Sequence, residues 1–338
     1  MAVNRLQHSE RESNFELLRL LAMCLIVSLH VNFFSLGWPT STEANAAPFS
    51  IALRMIFESL AIVSVNVFVI ISGWFGIKAK IHKLVGFIFQ CLFFYVGIYL
   101  LSLFWQNESI DINNLIKGLA LTDYWFVISY TGLYILSPVL NSYIKNTDKG
   151  QMSVLLALFF VYEFLYGWRH SENGFNCGYS TISFIGLYLL GGYMSKYRDA
   201  GVCVPRFCCF ALYVVLMALN AIIAFWGVKT GRMECEFFYR YSSPFVVVGA
   251  AFLVLGFSKF TPIRSKVVNY VAASTFSIYL FHLHPSIKPQ FVIIARSLYY
   301  ENGVFDYCWK ITVFVLTVSL IALLLDQIRK LCWSLVCV

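Results

Sequence analysis

Long apolar stretches separated by short polar ones recur along the whole chain. Each is about 20 residues long, the length that an α-helix needs to cross the hydrocarbon core of a bilayer. Apolar and polar residues do not alternate at a period of two within them, which favours membrane-spanning helices over the strands of a β-barrel. The pattern predicts ten helical segments, at about residues 14–36, 51–75, 84–105, 124–144, 152–168, 179–195, 207–227, 243–258, 267–287 and 308–325.

The composition is typical of a chain embedded in lipid. Of the 338 residues, 59% are hydrophobic and 12% are charged, whereas about a quarter of the residues of a soluble domain are charged. Backbone polar groups in lipid need internal partners, and a helix provides them within one segment. We therefore predict an all-α integral membrane protein, with a single domain over residues 1–338 that forms a bundle of about ten transmembrane helices.

The distribution of Lys and Arg between alternate loops predicts the orientation of this bundle. Fifteen of them fall in the two tails and in the loops on the same side, and eight fall in the opposite loops. Because Lys and Arg are enriched on the cytoplasmic side of membranes, we expect both termini in the cytoplasm. The net charge of +8 is spread over these loops, and no basic run interleaved with aromatic residues indicates a nucleic-acid partner.

The cysteines and histidines give little indication of a metal site. The ten cysteines lie mainly in apolar segments and form no C-x-x-C pair, as expected of small apolar residues in a reducing or lipid setting. His282 and His284 are two positions apart, but no third ligand accompanies them with helical spacing. We predict no metal and no permanently bound cofactor.

Two ionisable side chains lie within the first apolar segment, where a charge is costly and is therefore often functional. Arg19 is near the predicted cytoplasmic end, and His30 follows eleven residues later. That separation is about three helical turns, so both side chains lie on one stripe, about 16 Å apart along the axis. Glu16 is placed to pair with Arg19. The stripe suits an elongated ligand with its anionic end at Arg19 and its reactive end at His30. Alternatively, Arg19 reaches lipid phosphates and His30 bonds a neighbouring helix.

Other polar residues are expected at a depth similar to that of His30. They are Ser277, Tyr279 and His282 in the ninth segment, Glu58 in the second, Asp123 at the start of the fourth, and Tyr162, Glu163 and Tyr166 in the fifth. If these helices are neighbours, they form a polar pocket that opens outward, in which a histidine beside a carboxylate could act as a general base. The alternative for Glu58 and Glu163 is a position at the membrane–water interface.

Four stretches, spread from the first segment to the ninth, stand out together. The first holds Arg19 and His30 with ten residues between them, in FELLRLLAMCLIVSLH. The others, in chain order, are VFVIISGWFGIK at 67–78, YWFVISYTGLYILSPVL at 124–140 and STFSIYLFH at 274–282. In this order the four stretches resemble the motifs of the acyltransferase 3 family of membrane proteins. The resemblance covers nearly the whole chain.

This resemblance implies transfer of an acyl group, usually acetyl, from a coenzyme A thioester to the hydroxyl of a sugar or another acceptor. It makes His30 the catalytic histidine and Arg19 its motif partner. The residues expected to bind acyl-CoA, the co-substrate, are Arg19, Ser72, Gly73, Lys78 and Lys80. The second motif departs from the family pattern at Trp74, where phenylalanine or tyrosine is usual, and at Asn66, where small or apolar residues are more common.

The resemblance also suggests a mechanism. We expect acyl-CoA to dock from the cytoplasm with its phosphates near Arg19 and the two lysines. An acceptor hydroxyl then reaches His30 from the outer side, and His30 acts as a general base or as a covalent acyl relay. Tyr279 or Ser72 is expected to donate a hydrogen bond to the oxyanion. Further residues expected to contact substrate are His282, Glu58 and Trp125.

The acceptor is expected to be a glycan or a lipid-linked saccharide in a bacterial inner (cytoplasmic) membrane. Membrane lipid is a further expected partner, and the assembly considered is a homo-oligomer.

Two other functions stay open. A transporter or flippase for a lipid-linked sugar or small anion would also carry charged residues in the bundle, but it would contain paired broken helices, and only Leu115–Leu121 is a candidate. An inactive sensor or scaffold would tolerate the loss of His30.

Overall fold

The computed structural model describes residues 12–106, 110–198, 204–261 and 264–336. All regular elements in these four ranges are helical, which confirms the all-α prediction. In chain order the α-helices are α1 (Ser13–Leu29), α2 (Ser41–Ala46), α3 (Pro48–Ile62), α4 (Ser64–Phe75), α5 (Ile81–Gln106), α6 (Ile112–Leu119), α7 (Trp125–Asn146), α8 (Lys149–Tyr162), α9 (Thr181–Lys196), α10 (Arg206–Lys229), α11 (Cys235–Phe238), α12 (Pro244–Ser258), α13 (Lys266–Ala272), α14 (Thr275–His282), α15 (Lys288–Tyr300) and α16 (Val304–Val336).

Six helical stretches in the described ranges are long and apolar enough to cross a membrane. They are Ser13–Phe34, Pro48–Phe75, Ile81–Phe104, Lys149–Trp168, Arg206–Lys229 and Asp306–Leu335. Helices α7, α9 and α12 also coincide with predicted segments, but α9 and α12 have only 16 and 15 residues. The chain therefore has the character of an integral membrane protein, whereas a count of about ten spans and the cytoplasmic termini stay predictions.

The ninth predicted segment is not one helix. Helix α13 ends at Ala272 and α14 begins at Thr275, because the backbone of Ser274 leaves helical geometry between them (φ −104°, ψ 1°). Helix α14 then ends at His282, shortly before Pro285, which disfavours continuation of the helix. His282 therefore lies at the end of a helix in the interior of the bundle, where it is fully buried.

Helix α4 lies at the centre of the bundle, packed against α1, α9 and α12. Its backbone approaches α9 so closely that a Cβ atom on Gly73 would stand 2.0 Å from the carbonyl oxygen of Tyr188. A Cβ on Gly191 would likewise stand 2.1 Å from the carbonyl oxygen of Ile70. Small residues permit such close approach between membrane helices. The second motif thus contains a glycine, Gly73, that the packing of two helices requires.

The first helix ends in a π-helical turn over His30–Phe34. The hydroxyl of Ser35 donates a 2.6 Å hydrogen bond to the carbonyl oxygen of His30 within this turn. π-turns are rare and occur often at functional sites, because the wider turn changes the direction of side chains and frees backbone groups. Here it contacts α3 and α15 and directs Asn32 and Phe33 into the protein interior, where both are buried.

Candidate active site at His30

The imidazole of His30 meets a second histidine across the bundle. Its Nδ1 atom lies 2.9 Å from Nε2 of His282, although the two residues are 252 positions apart in the sequence. The other ring nitrogen of His282, Nδ1, lies 2.5 Å from the carbonyl oxygen of Ile278, one turn earlier in α14. His30 therefore does bond a neighbouring helix, as one of the two interpretations of the sequence expected, and its partner is another candidate site residue.

These contacts define which nitrogens carry protons. A carbonyl oxygen only accepts hydrogen bonds, so Nδ1 of His282 is the donor to Ile278. In a neutral His282 the Nε2 atom is then an acceptor, and it accepts the hydrogen bond that Nδ1 of His30 donates. This assignment leaves Nε2 of His30 with its lone pair, the form that a general base requires.

A cavity of ≈ 460 Å³ lies on the far side of His30 from Arg19. Two carboxylates line it, Glu58 and Asp123, together with the ammonium group of Lys288. Its remaining walls are aromatic and include Phe33, Phe34, Trp38, Trp125, Tyr179 and Tyr241. This outer cavity brings together His30 and two of the polar residues that were expected at a similar depth, Glu58 from the second segment and Asp123 from the start of the fourth.

The aromatic wall of the outer cavity is built by three contacting rings. Trp125 stacks on Tyr241 at 5.8 Å between ring centroids and with an angle of 25° between ring planes, and both rings contact Tyr179. Burial raises the pKa of Tyr241, so this part of the wall is uncharged. Trp125, which was predicted to contact substrate, is therefore held at the cavity surface by its neighbours.

Glu58 is buried and anchored inside the protein, with 2% of its surface exposed. Asn32 donates a 2.8 Å hydrogen bond from Nδ2 to Oε2 of Glu58. The Oδ1 atom of Asn32 accepts a 3.0 Å hydrogen bond from Nε of Arg54. The three side chains form a chain of hydrogen bonds that runs from the outer cavity into the space between α1 and α3.

A second cavity, narrow and apolar, adjoins His30 on the side of Arg19. It has a volume of only ≈ 40 Å³, and besides His30 its lining comprises Met23, Ile26, Val65, Phe68, Trp125, Phe126, Tyr241, Phe276 and Tyr279. Met23 and Ile26 lie between Arg19 and His30 on α1. His30 therefore stands where a narrow apolar passage meets a wide polar cavity.

Tyr279 is the better placed of the two predicted oxyanion donors. Its ring lines the narrow cavity together with His30, and no described side chain accepts a hydrogen bond from its buried hydroxyl. Ser72 lies one turn beyond Phe68 on α4, where its hydroxyl donates to the carbonyl oxygen of Phe68 and lies 3.3 Å from the hydroxyl of Tyr130. Ser72 is outside the lining of both cavities at His30, and its role as an oxyanion donor stays a prediction.

The residues expected to bind the phosphates of acyl-CoA gather at one end of the bundle. Arg19 is paired with Glu16, as the spacing predicted, and its guanidinium lies 5.9 Å from the centroid of Phe75. Lys78 and Lys80 are exposed just beyond the end of α4. Both lysines therefore follow closely in the chain after Phe75, the ring that Arg19 contacts.

Glu163, Tyr162 and Tyr166 do not join the site. Glu163 is buried, with 1% of its surface exposed, but it belongs to a π-turn that continues α8 and lies outside both cavities at His30. Tyr162 and Tyr166 are exposed and contact each other. Sharing a predicted depth was not enough to place these residues in the site, because α8 packs on α9 and not on α1.

Several residues of the site were not singled out from the sequence. Asn32 and Arg54 carried the same signal as Glu58, a polar side chain within an apolar segment, and could have been found by that rule. Tyr179, Tyr241 and Lys288 lie at the edges of helices and carried no comparable signal. They reach the outer cavity only because of how the helix ends and loops pack.

A family model described as an acyltransferase domain matches residues 12–326. The chain belongs to the acyltransferase 3 family. No curated protein and no solved structure matches the chain. Membership of the family identifies the molecule as a membrane acyltransferase.

In this acyltransferase, the four stretches that carried the resemblance meet at the narrow cavity. The first motif contributes His30, the second Phe68, the third Trp125 and Phe126, and the fourth Phe276 and Tyr279. The fourth also supplies His282, the hydrogen-bond partner of His30. Motifs that are distant in the sequence thus form one site.

Proposed function

We propose that this acyltransferase moves an acyl group, acetyl in the simplest case, from acyl-CoA to a hydroxyl group of a saccharide acceptor, with His30 as the general base. The observation that carries the proposal is the position of His30 between a narrow apolar cavity on the Arg19 side and a wide polar cavity on the other. A thin flexible donor and a broad polar acceptor would approach the same nitrogen from opposite sides.

The donor side suits acyl-CoA. Arg19, Lys78 and Lys80 would form charge-assisted hydrogen bonds with the phosphates, and the thin pantetheine arm would extend along Met23 and Ile26 to bring the thioester to His30. The narrow cavity is smaller than this arm, so the side chains around it must move apart when the donor binds. We assign the Arg19 end to the cytoplasm, where acyl-CoA is found, in a bacterial inner membrane.

The acceptor side suits a saccharide. Carboxylates accept hydrogen bonds from vicinal hydroxyls, and aromatic rings pack on the apolar faces of sugar rings. Glu58 and Asp123 supply the carboxylates, and Trp125 and Tyr241 supply a flat aromatic wall. A free glycan and the saccharide part of a lipid-linked glycan would make the same contacts.

The reaction would proceed in two balanced steps. Nε2 of His30 removes the proton from the acceptor hydroxyl as its oxygen forms a bond to the thioester carbonyl carbon. Tyr279 donates a hydrogen bond to the oxyanion of the tetrahedral intermediate. When the carbon–sulfur bond breaks, the proton on Nε2 passes to the departing thiolate, which leaves as CoA. His282 keeps the ring of His30 in the required tautomer throughout.

The test is acceptor-dependent release of CoA. The protein is reconstituted in nanodiscs with acetyl-CoA and a glycan extract of cell envelopes, and free CoA is measured for wild type, His30→Ala and His170→Ala. His170 is exposed in a loop outside the site and serves as the matched control. Release that needs the extract and is lost only in His30→Ala would support the proposal. Equal release by His30→Ala would remove His30 from the mechanism, and accumulation of a saccharide in vesicles without CoA release would favour a transporter.

A further inference from the structure

A groove of ≈ 590 Å³ lies between α3, α15 and α16, separate from the two cavities at His30. One part of its wall is apolar and comprises Leu53, Ile56, Phe57, Leu60 and Ile311. Three of these side chains, Leu53, Ile56 and Phe57, are exposed on the outside of the bundle. In a membrane this opening faces the lipid chains, so the groove is accessible from the bilayer.

The opposite end of the groove is polar. Its lining there includes Ser50, Arg54, Tyr299, Asn302 and Tyr307, which lie near the start of α3, the end of α15 and the start of α16. The groove therefore changes from polar to apolar along α3. Such a gradient matches a molecule with a polar head and a long apolar chain, oriented like the lipids of one leaflet.

Arg54 provides a buried positive charge at the polar end. Only 7% of its surface is exposed, and its guanidinium lies between the rings of Phe33 and Tyr299. Nε donates to Asn32, and one terminal nitrogen donates to the carbonyl oxygen of Gly37 at 2.9 Å. The other terminal nitrogen makes no hydrogen bond to any residue in the described ranges, and Arg54 itself lines the groove.

A second cation lies at the mouth of the groove. Lys310 is exposed and donates a hydrogen bond to the side-chain oxygen of Asn302, which is itself part of the lining. Arginine and lysine together favour a phosphate head group with a net negative charge over a zwitterionic one, in which a bulky cation offsets the phosphate. The two positive charges therefore favour an anionic head group, and the apolar wall favours the acyl chain of a lipid.

We propose that this groove binds one anionic phospholipid, with its phosphate at Arg54 and an acyl chain along Leu53, Phe57 and Ile311. Because Asn32 bonds both Arg54 and Glu58, the phosphate would contact the same hydrogen-bond chain that positions Glu58 in the outer cavity. The lipid site does not depend on the proposed acyl transfer.

Cys308 gives a direct test, because it is an exposed, free cysteine in the lining of the groove. The full chain in detergent is treated with N-ethylmaleimide while phosphatidylglycerol, or phosphatidylcholine with the same chains, is added. Alkylation of Cys308 and of Cys208 is followed by peptide mass spectrometry. Cys208 is also exposed and free, but it lies on α10, so it is the internal control.

Phosphatidylglycerol at about ten times its Kd is expected to slow the alkylation of Cys308 about tenfold and to leave Cys208 unchanged. Phosphatidylcholine is expected to give little protection, and Arg54→Gln is expected to abolish the difference between the two lipids. Equal protection by both lipids would overturn the anionic site, because the groove would then accept any acyl chain. No protection by either lipid would overturn the lipid site altogether.

A second variant keeps the proposal testable if Arg54→Gln fails to fold. Thr312→Trp fills the groove from its exposed wall without removing a hydrogen bond of Arg54. Native mass spectrometry is expected to show one phosphatidylglycerol molecule fewer on Thr312→Trp than on wild type. Val313→Trp, exposed on the same helix but outside the lining, is the matched control, and an equal loss in both variants would contradict a specific site.

Discussion

Nδ1 of His30 lies 2.9 Å from Nε2 of His282, and the remaining nitrogen of His282 faces the carbonyl oxygen of Ile278. This relationship makes His282 a positioning residue, since it orients the ring that is proposed to react. The backbone carbonyl fixes one tautomer at His282, and His282 fixes the complementary tautomer at His30. The end of α14 thereby determines which nitrogen of His30 keeps a free lone pair.

Replacing His282 is expected to reduce turnover without weakening donor binding. In His282→Phe the Nδ1 proton of His30 loses its acceptor, so the base is no longer held in one tautomer, and kcat should fall about 10- to 100-fold while KM for acyl-CoA is unchanged. Initial rates of CoA release measure both constants. His284→Phe, a buried histidine that bonds the carbonyl oxygen of Tyr95 outside the site, is the control, and an equal loss of kcat in it would argue against a positioning role.

The choice between general base and acyl relay can be made at His30 itself. A relay would accumulate an acyl-imidazole on Nε2 when acyl-CoA is supplied without acceptor, whereas a general base would form no covalent product. Brief incubation with radiolabelled acetyl-CoA, rapid quenching at neutral pH and peptide mass spectrometry would locate the label. We expect no label on His30, and a labelled His30 peptide that is absent in His30→Ala would establish the relay instead.

Arg19 is expected to act on donor affinity. Its removal deletes a charge-assisted contact with a phosphate of acyl-CoA, so KM for acyl-CoA in Arg19→Ala should rise about tenfold, equivalent to about 1.4 kcal/mol, while kcat changes little. Steady-state kinetics at saturating acceptor measures the effect. Arg169→Ala, an exposed arginine just after the π-turn that ends α8, should leave KM unchanged. A fall in kcat alone would move Arg19 from donor binding to the chemical step.

Glu58 is expected to act on the acceptor. In Glu58→Gln the side chain keeps its size, but an amide NH2 group replaces one carboxyl oxygen, so the side chain loses part of its capacity to accept hydrogen bonds from sugar hydroxyls. We expect KM for the saccharide to rise about tenfold with KM for acyl-CoA unchanged. Glu163→Gln is the matched control, because Glu163 is equally buried but lies outside the outer cavity. An unchanged acceptor KM in Glu58→Gln would remove Glu58 from the acceptor site.

Gly73 gives a prediction about stability. A methyl group there would stand 2.0 Å from the carbonyl oxygen of Tyr188, and separating α4 from α9 to accommodate it should lower the free energy of unfolding by about 1–3 kcal/mol. Thermal unfolding in detergent measures the change. Gly97→Ala, a helical position with nothing within 4 Å of the added atom, should be neutral or slightly stabilising. A Gly73→Ala protein as stable as Gly97→Ala would show that the two helices separate at no cost.

Much of the fold was predictable from local patterns, since apolar segments of membrane length form helices to satisfy their own backbone groups. The differences between the predicted segments and the observed helices also arise from short stretches of sequence. The ninth segment breaks at Ser274, and short helices such as α2 and α15 lie outside the predicted segments. Helix α2 begins with a capping box formed by Thr40 and Glu43, a signal that was present in the sequence but is weaker than twenty apolar residues.

The sequence by itself determined that the chain is helical, that Arg19 and His30 lie on one helix, and which family its motifs resemble. It did so because helical periodicity and backbone hydrogen bonds act within a single segment. Only the tertiary structure decided that His282 is the partner of His30, that Glu58 faces the outer cavity while Glu163 does not, and that Ser72 is outside the lining of both cavities at His30. Those outcomes depend on which helices pack together and on the direction of a π-turn, and both arise from contacts between residues that are far apart in the chain.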